Sequence, residues 1–173
     1  MRKILLCSLL AIALLSGCRA EPDWETVDDG DVLQVSASVE PPYIITYSIP
    51  DDASMEPLSA RNCSLYVSEN GDYEIFSDAL SAASLDDAIR QVSGFGETEL
   101  SVLETTRFGL PEYRFAWASS SDEGEYVSQA SLLKDGSYYY ALVFSVRQGL
   151  SGKYDDCAEA VFSSFGIYGD ESF

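Results

Sequence analysis

The sequence predicts an α+β domain: an antiparallel sheet of about six strands with helices packed on both faces. Three observations carry this expectation. Short segments alternating apolar and polar residues are joined by the hairpin turns Asn70-Gly71 and Asp135-Gly136. Two segments repeat apolar residues at helical spacing. The strand from Tyr138 to Val146 is apolar on both sides, which calls for a layer above it and another below.

Taken in order, Leu33, Val35, Ala37 and Val39 alternate with polar residues as a half-buried strand does. Pro41 and Pro42 interrupt it, and a second extended piece runs from Tyr43 to Ile49. Pro50 to Arg61 is polar and turn-rich, and reads as a loop. Cys63, Leu65 and Val67 share one side of a strand that turns at Glu69-Asn70-Gly71-Asp72 and returns through Tyr73 to Phe76. Ser84 opens the first helix, with Asp87 three residues on at its positive end. Leu85, Ala88, Ile89 and Val92 form its apolar stripe, and Gly94 and Gly96 stop it. Glu99 to Thr106 alternates weakly, and Tyr113, Phe115 and Trp117 alternate with Arg114, Ala116 and Ala118. A polar loop, Ser119 to Glu125, leads to Tyr126–Leu133 and then to the two-sided apolar strand. The closing helix is expected from about Lys153 to Phe165, with Tyr154, Cys157, Ala158, Val161, Phe162 and Phe165 on one stripe. Asp155 and Asp156 suit its positive end, and Gly166 suits the position just past its C-terminus.

This order of elements resembles the PsbP-like fold over roughly residues 63–167. The carrying features are a hairpin, a helix opening on Ser84-Leu85-Asp86-Asp87-Ala88 and a meander. The aromatic strand GSYYYALVFSV and a last helix ending in Phe-Ser-Ser-Phe, then Gly-Ile, complete it. The resemblance implies an α/β/α sandwich around an antiparallel sheet, and a binding or accessory role without a shared active site.

The N-terminus reads as an export signal, with Arg2 and Lys3 ahead of an apolar run from Ile4 to Leu15. That run is shorter than the roughly 20 residues needed to span a bilayer. Leu15-Ser16-Gly17-Cys18 resembles the lipobox of bacterial lipoproteins, which implies cleavage before Cys18 and acylation of its thiol. An ordinary cleaved signal that contains a cysteine is the alternative. The expected organisation is a signal peptide over 1–17, a lipidated Cys18 with an acidic tether over 18–31, one domain over 32–168 and a tail over 169–173. Trp24 is the one aromatic residue of the tether.

Removing the signal leaves eight basic residues against 29 acidic ones. A surface of that sign repels phosphate backbones, so a nucleic-acid partner is not expected. The chain has no histidine. That excludes Ser-His-Asp and Cys-His nucleophiles and the usual zinc ligand sets. With Cys18 acylated, Cys63 and Cys157 are an even pair in an oxidising compartment, and a disulfide between them is expected. It would add roughly 4–5 kcal/mol in the chain-entropy account. Two buried thiols are the alternative.

Other chemistry is weaker. Asp28-Asp29-Gly30-Asp31, Asp51-Asp52 and Asp122-Glu123-Gly124-Glu125 offer carboxylates to calcium but lack the spacing of a helix-flanked calcium loop. Tyr138, Tyr139 and Tyr140 could stack on sugars or be core. Gly94-Phe95-Gly96 is a helix stop and not a nucleotide fingerprint. Asn62-Cys63-Ser64 matches a glycosylation sequon that a bacterial lipoprotein leaves unused.

No catalytic residue, metal ligand or cofactor site is expected. The expected function is that of a membrane-anchored extracytoplasmic lipoprotein serving as a non-enzymatic binding or accessory module. Its expected partners are the membrane, through the lipid at Cys18, and an envelope protein. The alternatives are a carboxylate-dependent hydrolase of cell-envelope glycans, which needs two convergent acids, and a cation-binding lipoprotein.

Overall fold

The chain is described by a computed structural model over residues 41–58, 63–121 and 124–169. Seven strands form the main sheet, each antiparallel to its neighbours. They are β2 (Ala53–Glu56), β3 (Cys63–Ser68), β4 (Tyr73–Ser81), β5 (Leu103–Arg107), β6 (Leu110–Ser121), β7 (Gly124–Asp135) and β8 (Tyr138–Arg147). The spatial order is β2-β3-β4-β8-β7-β6-β5. Two further strands, β1 (Ile44–Thr46) and β9 (Gly166–Tyr168), pair with each other as a separate antiparallel ribbon. The helices are α1 (Leu85–Ser93) and α2 (Ser151–Ser163).

Seven strands replace the expected six because β2 lies in the stretch that reads as a loop. It is a four-residue edge strand with three exposed side chains, so it carries no alternation to betray it. The other edge, β5, is exposed at four of five positions. The expected strand over Leu33–Val39 lies outside the described residues.

The turns obey their local chemistry. Gly71 takes φ +67° after Asn70, and Gly136 takes φ +54° after Asp135, closing two of the hairpins. Ser84 caps α1 by accepting the Asp87 N–H at 3.1 Å. Gly94, at φ +79°, ends α1 in the left-handed conformation and donates to the Arg90 carbonyl.

The end of α2 differs from expectation. Ser164, with φ −87°, occupies the C-cap, and Gly166 opens β9 instead of capping the helix. The terminal carbonyls are satisfied from outside the helix, by Arg107, so a left-handed glycine is not required there. The helix also starts two residues earlier than its stripe suggested, and its first turn holds no acid.

The core has two parts, and β8 contributes to both. Tyr140, Leu142, Phe144 and Val146 pack with Tyr154, Ala158, Val161, Phe162 of α2 and with Phe165. The alternate residues Tyr139, Ala141 and Val143 pack with Ala88 and Ile89 of α1. Every residue from Tyr139 to Phe144 is buried, as the two-sided apolar run requires.

The expected Cys63–Cys157 disulfide is absent from the structure. The register gives the reason. Cys63 stands opposite Asp78, and so on the side of β4 that also carries Phe76 and Leu80. Cys157 packs with Tyr73 and Ile75, which β4 sends to its other side. The sheet therefore lies between the two side chains, and no rotamer change brings such sulfurs within 2.05 Å or so of each other. Burial raises both thiols above the ordinary range.

Candidate docking surface

The hairpin between β5 and β6 is held by a buried ion pair. Glu112 is only 5% exposed, yet it stays ionised. Burial is the largest single influence on it and opposes the charge. The opposing hydrogen bonds from Ser131 Oγ (2.8 Å), Arg107 Nε (3.0 Å) and Thr105 Oγ1 (3.0 Å) win, and hold its carboxyl below the usual range. Arg107 uses Nη1 to donate to the carbonyls of Phe162 (2.8 Å), Ser163 (3.3 Å) and Phe165 (3.1 Å). One guanidinium therefore ties the hairpin to the carboxyl end of α2, where the helix dipole favours a cation.

The next residue is Phe108. It has φ +53°, the left-handed region that a bulky side chain rarely takes, and Gly109 follows at φ +81°. Two positive φ values in succession make the tight hairpin turn that matches strand twist. Phe108 is 78% exposed. Its Cε2 lies 3.6 Å from where a Cβ on Gly166 would stand, so it rests against the outer side of β9.

That outer side continues into a cross-strand pair. Thr46 stands opposite Gly166, and Ile44 stands opposite Tyr168. Ile44 is 65% exposed and Tyr168 61%. The alternate residues, Ile45 and Ile167, pack into the α2 core. Strand alternation thus divides the ribbon into an inner side that anchors it and an outer side that offers Ile44 and Tyr168 to solvent beside Phe108. Neither strand of the ribbon holds a charged residue, although the whole chain carries −19.

The other polar clusters hold the fold together. Asp72, in the β3–β4 turn, accepts from Tyr154 Oη (2.6 Å) and Lys153 Nζ (3.0 Å), which tie it to the start of α2. Tyr73 donates to Asp52 at 2.5 Å. Tyr47, Ser64 and Ser77 share a hydroxyl cluster.

The residues singled out by the sequence distribute as follows. Cys18, Trp24, the Asp28–Asp31 cluster, Asn62, Asp122 and Glu123 lie outside the described residues. Asp51 and Asp52 sit in an exposed turn, and Asp52 serves Tyr73. No group of three potential metal ligands converges among the described residues. Tyr139 and Tyr140 are 2% and 0% exposed, so the tyrosine run is core and not a sugar platform. Burial raises the carboxyl of Asp78, but its cross-strand neighbours are Cys63 and Ala141, not a second acid. The sequence reading missed Phe108. Its signal was the Phe108-Gly109 dipeptide followed by an alternating strand, a hairpin turn with an aromatic where asparagine or aspartate is usual.

No known protein family and no curated protein matches the sequence. Solved structures do. Cyanobacterial PsbP (CyanoP) from Synechocystis superposes with a TM-score of 0.51 at 10% identity, covering 72% of this chain and 86% of that one. The fold is PsbP-like. LpqN of Mycobacterium tuberculosis, a protein involved in cell envelope biogenesis, gives a TM-score of 0.48. That match has 15% identity and covers 71% of this chain and 82% of that one. The Ran-binding protein Mog1p of Saccharomyces cerevisiae gives 0.47 at 10% identity, covering 70% and 89%. At these identities the PsbP-like relation is one of fold.

Proposed function

We propose that the protein is a membrane-anchored extracytoplasmic lipoprotein, acylated at Cys18, that acts as a non-enzymatic binding or accessory module. The proposed organisation is a signal over 1–17, a tether over 18–31, a single domain over 32–168 and a tail over 169–173. The observation that carries the binding role is the outer side of the β1–β9 ribbon. An uncharged apolar surface is anchored there by Ile45 and Ile167, and the Arg107–Glu112 lock holds the hairpin that carries Phe108 beside it. Exposed apolar patches on soluble domains mark interaction sites.

We infer further that α1 and α2 cover opposite faces of the sheet, completing an α/β/α sandwich. The support is the division of β8, whose alternate side chains join two separate clusters, one with each helix. With both faces taken, recognition falls to the ribbon and the hairpin tip.

The lipobox-like Leu15-Ser16-Gly17-Cys18 supports the anchor, and no helix among the described residues is long and apolar enough to cross a membrane. The test compares the natural chain with Cys18→Ala in cells. The natural chain should fractionate with membranes, begin at residue 18 and carry the mass of its acyl groups, whereas Cys18→Ala should be released. An unacylated residue 18, or equal release of both forms, would sink the anchor. Crosslinking on intact cells should recover a partner with the natural chain.

A further inference from the structure

We propose that Phe108, Ile44 and Tyr168 form a second membrane contact, which lays the domain on the same lipid surface that holds its anchor. This rests on the reading of Cys18 as a lipidated residue. Three observations favour lipid over any other occupant.

The first is the route of the chain. The described residues begin at Pro41, three positions before Ile44, and only 26 positions of chain separate Cys18 from Ile44. At most about 90 Å of extended chain separates the two. An anchored domain therefore meets the bilayer at high effective concentration, and a weak contact suffices to orient it.

The second is charge. A chain of net charge −19 is repelled by most anionic surfaces, yet β1 and β9 contain no charged residue. Arg107, next to Phe108 in the chain, is paired with Glu112. The ribbon strands thus add no charge of their own to the repulsion from anionic headgroups. The side chains of the patch are also of the kinds that settle at the boundary between headgroups and acyl chains: a phenyl ring, an aliphatic group and a phenol.

The third is size. Three side chains exposed at 78%, 65% and 61% offer on the order of 400 Å². A stable pairing of two copies needs about 800 Å² from each. Lipid sets no such threshold, since each inserted side chain contributes by itself.

The test uses the full acylated chain carrying Trp24→Phe, reconstituted into phosphatidylcholine vesicles with brominated acyl chains. Phe108→Trp supplies the reporter, Trp117 the internal baseline, and Met55→Trp a control. Met55 is 60% exposed on β2, at the opposite edge of the sheet. The expected result is at least twofold stronger quenching at position 108 than at Trp117, with position 55 at baseline. If the protein floats with the vesicles but position 108 stays at baseline, or matches position 55, the contact is refuted and the anchor stands. Concentration-dependent dimers together with an unquenched position 108 would assign the patch to a second copy and overturn the proposal. Failure of the chain to float would refute the anchor, and the contact with it.

Discussion

Replacing Arg107 by alanine tests the lock under the hairpin. The change removes the only cation paired with Glu112 among the described residues and three hydrogen bonds to the end of α2. The side chains of Arg107 and Glu112 are 18% and 6% exposed, so solvent screens the pair little. Removing one partner of a buried pair costs about 3–5 kcal/mol, because the other charge is left behind without water. Ser131 and Thr105 still donate to Glu112, which limits the loss, while the unpaired helix carbonyls add to it. The expected destabilisation is about 4 kcal/mol. With a urea slope of about 2 kcal/mol/M, the unfolding midpoint at neutral pH should fall by about 2 M, at unchanged slope. Circular dichroism of the full chain reads it. Arg107→Met combined with Glu112→Leu should recover much of the loss, since an apolar pair leaves no stranded charge. A loss below about 1 kcal/mol for Arg107→Ala, or purely additive single changes in the double-mutant cycle, would refute the reasoning.

Three other outcomes are expected. Tyr73→Phe removes the hydrogen bond to Asp52 but keeps the ring stacked on Phe144 at 5.0 Å, so urea unfolding should show a loss of about 1 kcal/mol. Asp72 is held below the ordinary carboxylate range by the Tyr154 hydroxyl first and the Lys153 ammonium second. A folded-state value below the unfolded one stabilises the native chain above about pH 4 and is lost as pH falls further, so Asp72→Asn should flatten the decline in urea midpoint between about pH 5 and pH 3. Cys63 and Cys157 should both take up a thiol alkylator in denaturant without reductant, and mass spectrometry showing labelling only after reduction would contradict the register argument.

Much of the fold was legible because local signals and burial agree. Asn70-Gly71 and Asp135-Gly136 declare their hairpins, Ser84 and Gly94 bracket α1, and the two-sided apolar run names the strand shared by both cores. What stayed hidden depends on neighbours remote in sequence. β2 has no pattern of its own and exists because β3 offers it an edge. Gly166 looks like a helix stop until Arg107, far away in the chain, supplies the carbonyl partners. The cysteine expectation failed for a related reason: hydrophobic periodicity reports that a side chain points inward, but not which side of the sheet it reaches. The patch was illegible because Ile44 and Tyr168 come together only through the β1–β9 pairing, and Phe108 reaches Gly166 only through the β5–β6 hairpin.

That pairing joins the first described strand to the last. Thr46 and Gly166 are neighbours in space but 120 positions apart along the chain, a costly loop to close early in folding. A polypeptide made amino end first has Ile44 free of the ribosome long before Tyr168 is added. The ribbon then seals late, and the sticky trio comes together only once synthesis is nearly finished. Immature chains would carry these side chains scattered, with no surface on which an unwanted neighbour could settle.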